Sequence, residues 1–287
     1  MNRSIDLEAV RTALRAAGLN VGALRLVNPG RTLVVADGER AIRISDADPS
    51  QIERELRTTI LLGVAGAPVL TPLDPVPVES VLGTVSLWPL ADKSPRPEED
   101  LGTTLRELHL VGATLAYGQP LNRSKVRRMV MELEVYGVDP ATTALLRSIA
   151  AELPEVPSWQ REPSGVLLHG DAHNGNIMRV RGRPVLIDAG GAQSGPWQLD
   201  LVPTWVAARR GRDGWGNWQA VKDSYDPALL ADGLWDWEHL AEAVLERELL
   251  TTLFLCRMWR RLDWVRDEVG LRLRSWTGNT EPWNIGR

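Results

Sequence analysis

Leu167-Leu168-His169-Gly170-Asp171-Ala172-His173-Asn174-Gly175-Asn176-Ile177-Met178-Arg179-Val180, followed by Arg181-Gly182-Arg183 and then Pro184-Val185-Leu186-Ile187-Asp188-Ala189-Gly190, is the most informative stretch of this 287-residue chain. Two short apolar runs joined by a Gly-containing turn predict a β-hairpin. Asp171 and Asn176 stand just before it and Asp188 just after. A hairpin brings its two ends together, so the three polar side chains are expected to converge on one point.

Two carboxylates and an amide at one point suit phosphoryl transfer. One acid orients the attacking hydroxyl and takes its proton, while the amide oxygen and second acid hold magnesium against the phosphates. The spacing matches the protein-kinase pattern His-x-Asp-x-x-x-x-Asn with a later Asp-x-Gly, here filled by His169, Asp171, Asn176, Asp188 and Gly190. The fuller run His-Gly-Asp-x-His-x-Gly-Asn, then Ile-Asp, resembles the aminoglycoside-phosphotransferase and choline-kinase branch of that fold. The resemblance implies that Asp171 is the catalytic base, that Asn176 and Asp188 bind magnesium, and that His169 and His173 brace the loop. Gly195-Pro196-Trp197-Gln198-Leu199-Asp200-Leu201 is similar to the family's Gly-Asp-Pro-x-x-Asp-Leu with its first Asp missing. Asp200 is read there as a structural acceptor for loop amides.

Working outward, residues 6–18 have helical spacing. Residues 23–27, Thr32–Ala36 and Arg40–Ser45 read as strands, with Asp37-Gly38 as a hairpin signal. Asp48-Pro49 opens a helix to about Gly63, and Thr84–Leu90 is an apolar strand. The polar, Pro-containing residues 92–100 read as a linker, and helices dominate beyond it. The expected fold is α+β and bilobal, like protein kinases. Residues 1–91 would form a nucleotide-clamping lobe with a small antiparallel sheet, and residues 92–287 a helical lobe carrying the catalytic loop and substrate site.

The same resemblance assigns a nucleotide clamp. Ala41-Ile42-Arg43-Ile44 takes the place of the kinase third-strand Val-Ala-Ile-Lys, with Arg43 for lysine and Glu55 as its helix partner; Glu53 is the alternative. No Gly-x-Gly-x-x-Gly is present; Asn28-Pro29-Gly30-Arg31-Thr32 occupies that turn. The adenine slot is placed near Trp88 and Leu90, through backbone groups. The implied cofactors are magnesium and ATP, with GTP also open. His109 reads as a packed histidine at a helix end.

Between residues 231 and 248 there are six acids against the single Arg247, interleaved with tryptophans. Asp232, Trp235, Asp236 and Trp237 are the candidate substrate contacts, and acids beside aromatics suit a cationic hydroxylated small molecule such as an amino sugar or antibiotic. The bland alternative is a solvated acidic helix face. Twelve tryptophans, eight of them after residue 210, predict a Trp-built helical core in which two or three line a pocket.

Bulk properties narrow the partners. A net charge of -4 gives no general attraction to nucleic acid or to anionic membranes. No run approaches the roughly 20 apolar residues of a membrane span. A lone cysteine, Cys256, excludes an internal disulfide framework, and the acidic N-terminus lacks a signal-peptide pattern, so a cytoplasmic monomer or homodimer is expected. Two other readings compete with phosphoryl transfer. One is a pseudokinase-type binding protein on the same scaffold. The other is a metal-dependent hydrolase ligated by His169, Asp171 and His173, which lacks the further histidines such a centre wants.

Overall fold

The computed structural model describes residues 5–29, 32–112, 124–161, 165–211, 217–226, 237–276, 278 and 281–283. Among them the chain runs α1 (Leu7–Ala16), β1 (Arg25–Asn28), β2 (Leu33–Asp37), β3 (Arg40–Ser45), α2 (Pro49–Val64), β4 (Val78–Ser80), β5 (Gly83–Pro89), β6 (Asp92–Lys93), α3 (Pro97–Gly112), α4 (Ser124–Met131), α5 (Pro140–Glu152), β7 (Val166–Leu168), β8 (Ile177–Val180), β9 (Arg183–Leu186), β10 (Gln193–Gly195), α6 (Gln198–Arg210), α7 (Trp218–Tyr225), α8 (Leu240–Cys256) and α9 (Asp263–Trp276). This is the expected α+β order.

Local chemistry sets the element ends. Asp6 caps α1 by accepting from the Glu8 and Ala9 amides at 3.0 and 3.2 Å. Asp48 caps α2 through the Ser50 amide at 2.8 Å, with Pro49 in the first turn. Asp37-Gly38 does mark a turn, but one residue later than expected. Asp37 is the last residue of β2 and pairs with Arg40, so the turn is Gly38-Glu39. The Asp37 carboxylate holds the strand in place by accepting the Gly22 amide at 3.1 Å.

The five-stranded antiparallel sheet has the order β1-β2-β3-β5-β4. Two-residue alternation divides β3 between the faces. Ile42 and Ile44 join Val10, Leu14, Val35 and Val85 in a core beneath α1, while Ala41 packs with Ile52, Leu56 and Trp88 beneath α2. Arg43 therefore shares the α2 face.

Two further cores lie among the helices. One gathers α3, α6, α7 and the hairpin strands; the other gathers α4, α5, α8 and α9. Trp159, Trp259 and Trp283 are buried in them. The division expected at residue 91 is bridged by backbone pairing. Leu186 of β9 donates to the Pro68 carbonyl and accepts from the Leu70 amide, both at 2.8 Å. Leu62, Ala67 and Val69 belong to the α3–α6–α7 core. Residues 92–100 are also not an open linker: β6 pairs with β8, and α3 begins at Pro97. Asp100 there is buried and forks onto Arg179 of β8, at 2.6 and 2.7 Å. No helix among the described residues is long and apolar enough to cross a membrane.

Candidate active site

The hairpin β8–β9 pairs Ile177 with Leu186 at its base, and one step beyond it the Ile187 amide donates to the Asn176 carbonyl at 2.9 Å. Asn176 and Asp188 are thus brought to the same end of the ribbon. The Asn176 side-chain amide donates to the Asp171 carbonyl at 2.9 Å, tying the loop that precedes the hairpin to it. Asn176 is buried. With its NH2 committed, its carbonyl oxygen is the end left for a cation.

Asp200, at the start of α6, is the anchor of this loop. Its two oxygens accept the His169 amide at 2.6 Å and the Gly170 amide at 2.9 Å, and it is almost fully buried. His109 donates to the same carboxylate through Nε2 at 3.2 Å and accepts from the Tyr225 hydroxyl through Nδ1 at 2.8 Å. His109 therefore serves the site indirectly, beyond its packing role at the end of α3. Gly170 lies at φ +82° with the Gly191 carbonyl 2.5 Å from where a Cβ would be, so only glycine fits. Asp200→Asn should turn an amide group against those two N–H donors. We expect a loss of about 2–3 kcal/mol in denaturant unfolding, together with reduced turnover.

His169 faces inward. Its Nε2 donates to the Ile187 carbonyl at 2.8 Å and its Nδ1 accepts the Asp171 amide at 3.3 Å. Both ring nitrogens are engaged, and His173 Nδ1 accepts the Gly175 amide at 3.0 Å. The ligand trio that a hydrolase would need from this segment is not assembled. Among the described residues no three His, Cys, Asp or Glu side chains gather as a metal centre.

Asp171 meets Arg247 of α8, whose Nη1 donates to Oδ1 at 2.6 Å. Burial alone would raise the Asp171 pKa, but Arg247, then His173 and Lys125, outweigh it and set the carboxylate at about 2. Asp171 is therefore ionised at any pH above about 4. The stability gained from its pairing is complete above the ordinary carboxylate range and is lost as the pH falls through about 2. Lys125, at the start of α4, faces the same cavity; burial lowers its pKa although Asp171 opposes the shift. Sequence reasoning missed Arg247 and Lys125. The one signal for Arg247 was its isolation as the single basic residue in an acid-rich run.

Asp188 adopts the left-handed conformation (φ +59°, ψ +37°), uncommon outside glycine, and its side chain stays half exposed. Arg43 pairs with Glu55 and lies 3.3 Å from Asp188. Burial works against the Arg43 charge, but Glu55 and Asp188 more than offset it and raise its pKa. Glu53 instead meets Arg57 on the surface of α2. Gly190 lets α2 approach: a Cβ there would stand 2.6 Å from Glu55 Cγ.

Two cavities meet at Asp188. One, of about 440 Å³, lies between the sheet and the hairpin and is lined by Val34, Ala41, Arg43, Trp88, Leu90 and Met178 as well as Asp188. The Trp88 indole packs in the core beneath α2 and donates to Ser86 at 2.9 Å. The Leu90 amide is spent on the Glu39 carbonyl at 2.7 Å, so that backbone donor is closed to a ligand. The other cavity, of about 450 Å³, is lined by Asp171, Asp188, Lys125, Trp159, Glu246 and Arg247, among others.

A family model described as "Phosphotransferase enzyme family" matches residues 24–243. The chain belongs to this phosphotransferase family. No curated protein matches it in sequence. An amicoumacin kinase in complex with AMP-PNP, calcium and amicoumacin superposes with a TM-score of 0.63 at 14% identity, over 98% of this chain and 96% of the other. An aminoglycoside phosphotransferase of Streptomyces rimosus gives 0.59 at 21% identity, over 86% and 99%. A choline kinase of Streptococcus pneumoniae gives 0.59 at 10% identity, over 95% and 99%. The fold of this phosphotransferase is accordingly the protein-kinase-like one.

The expected substrate contacts Asp232, Trp235 and Asp236 lie outside the described residues. Trp237 packs against Trp159 and His239 rather than lining the Asp171 cavity. Of the helix acids, Glu242 bonds Ser158, and Glu248 is buried against Arg210 and the Trp276 indole. Glu246 faces the cavity. The acidic run is therefore neither wholly solvated nor wholly a substrate surface.

Proposed function

We propose that this phosphotransferase moves the γ-phosphate of ATP, or of GTP, onto a hydroxyl of a small molecule with magnesium as the cofactor. The observation that carries this reading is the position of Asp188, which lines two cavities at once, with Arg43 in one and Asp171 in the other. The first has the lining expected for a nucleotide and the second for its acceptor.

The donors present fit magnesium, a hard cation that takes oxygen ligands and keeps several waters. Asp188 and the Asn176 side-chain oxygen would hold it, and it would supply charge neutralisation at the phosphates. The chain's own groups do the rest. Arg43, fixed by Glu55, faces the phosphate region with a permanent charge. Asp171 orients the acceptor hydroxyl and accepts its proton. Asp200, through the His169 and Gly170 amides, keeps the loop carrying Asp171 in register. Beside the reacting centre, Trp159 and Glu246 offer an aromatic face and an acid, which suits an acceptor with a cationic group such as an amino sugar or antibiotic. Similar folds hold amicoumacin and streptomycin beside a nucleotide.

ADP release measured over amino sugars, aminoglycosides, peptide antibiotics, choline and small hydroxy acids tests the proposal. Acceptor-dependent release with magnesium is expected. Nucleotide binding without turnover of any acceptor would favour the binding-protein reading instead.

A further inference from the structure

Behind the catalytic loop lies a third cavity, of about 110 Å³, whose polar lining is His173, Arg247, Thr251 and Arg272, with Trp283 and three apolar residues completing it. Among the described residues no carboxylate lines it, although four line the adjoining acceptor cavity. Arg247 and Pro203 line both, so the small cavity abuts the place where Asp171 works.

Arg272 is the decisive group. It is only 3% exposed, and its guanidinium carbon lies 4.6 Å from the centre of the Trp283 ring. Its Nε donates to Glu268 at 2.8 Å, but its Nη1 is buried with no hydrogen-bond partner among the described residues. A buried, charged donor left unpaired is costly, and such groups ordinarily meet an acceptor. Burial pulls the Arg272 pKa down in spite of Glu268 and Glu248, so the local negative charge does not fully compensate it. His173 adds a donor: its Nδ1 accepts the Gly175 amide, which leaves the proton on Nε2.

We propose that this cavity is an oxyanion site, which takes a carboxylate or phosphate group between Arg272 and Arg247 with His173 at its side. An oxyanion there would compete with Asp171 for the Arg247 guanidinium. Filling the site would loosen the Arg247–Asp171 pair and free Oδ1 for the acceptor hydroxyl. The oxyanion has two possible sources: an arm of the acceptor itself, or a free anion. The first rests on the phosphotransfer reading; the site itself does not.

Inorganic phosphate titrated calorimetrically into the whole protein is the test. It is run on the bare protein and again with the nucleotide cleft filled by magnesium and a non-hydrolysable ATP analogue. One-to-one binding is expected in both states. It should weaken at least ten-fold in Arg272→Met/Glu268→Gln, which removes the donor without stranding a buried acid. Ala207→Leu, which fills the cavity and leaves both arginines in place, should weaken it likewise and covers the case where the double variant does not fold. Absence of saturable binding, or equal binding by a folded variant, overturns the site and leaves a water-filled cavity. Glycerol and glycerol 3-phosphate as acceptors separate the sources. A KM at least ten-fold lower for the phosphorylated alcohol, lost in Ala207→Leu, places the oxyanion on the acceptor. Phosphate that binds without competing with any acceptor makes it a free anion. If no acceptor is turned over, phosphotransfer fails while the calorimetric result stands alone.

Discussion

Asp171→Asn should lower kcat by about 10²–10⁴-fold, the range for removing a general base, while the affinity for magnesium-nucleotide stays within about two-fold. The carboxamide keeps the size of the side chain and can still accept from Arg247, so the loop should stay in place. Asp171 is not among the described residues that line the cavity proposed for the nucleotide, whose lining on this side is Gly175, Met178, Ile187 and Asp188. Single-turnover kinetics with a saturating acceptor checks the first part and calorimetry the second. Unchanged turnover would take Asp171 out of the chemistry. The pH profile sharpens the point. With the Asp171 carboxylate at about 2, a fall in kcat/KM between pH 7 and pH 5 must come from another group.

Asp188→Ala should act on the other side of the same centre. We expect magnesium-nucleotide affinity to fall about 100-fold, equivalent to about 2.7 kcal/mol, with a smaller loss for nucleotide alone. Two changes act together: a cation ligand disappears, and Arg43 loses one of the two acids beside it. Titration with and without magnesium separates them. If the magnesium-dependent part of binding survives in the variant, Asp188 is not a ligand. Alanine gives no relief to the left-handed backbone, which aspartate tolerates better than alanine does, so the variant also carries a small local backbone cost that a denaturant titration would read separately.

The parts of this molecule written into neighbouring residues were legible in the sequence. The hairpin could be read because its strands, turn and polar ends are contiguous. Arg43 could be placed because Ala41-Ile42-Arg43-Ile44 resembles the kinase third strand, and the Asp200 reading rested on a short, position-specific run. The choice of Glu55 over Glu53 came from the same resemblance, and the structure pairs Glu55 with Arg43 and Glu53 with Arg57. What escaped the sequence depends on how distant helices pack. Arg247 reaches Asp171 across 76 residues of chain, and no periodicity in α8 announces which of its polar residues turns inward. Glu248, two-faced between Arg210 and Trp276, looked like one more surface acid for the same reason. The pairing of residues 68–70 with β9 was hidden because the proline-rich run Pro68–Pro77 reads as a loop and strand and says nothing about what it lies against.

That pairing has a mechanical consequence. Since the chain just after α2 is stitched to the last residue of β9, and Glu55 presses on Gly190 just beyond the same end of that ribbon, α2 is anchored to the helical body as well as to the strands it covers. Any rocking of β1–β3 that admits or expels a nucleotide would then slide Arg43 past a stationary Glu55. The Arg43–Glu55 contact would behave as the latch of a door whose frame is α2, engaged only when the mouth is shut.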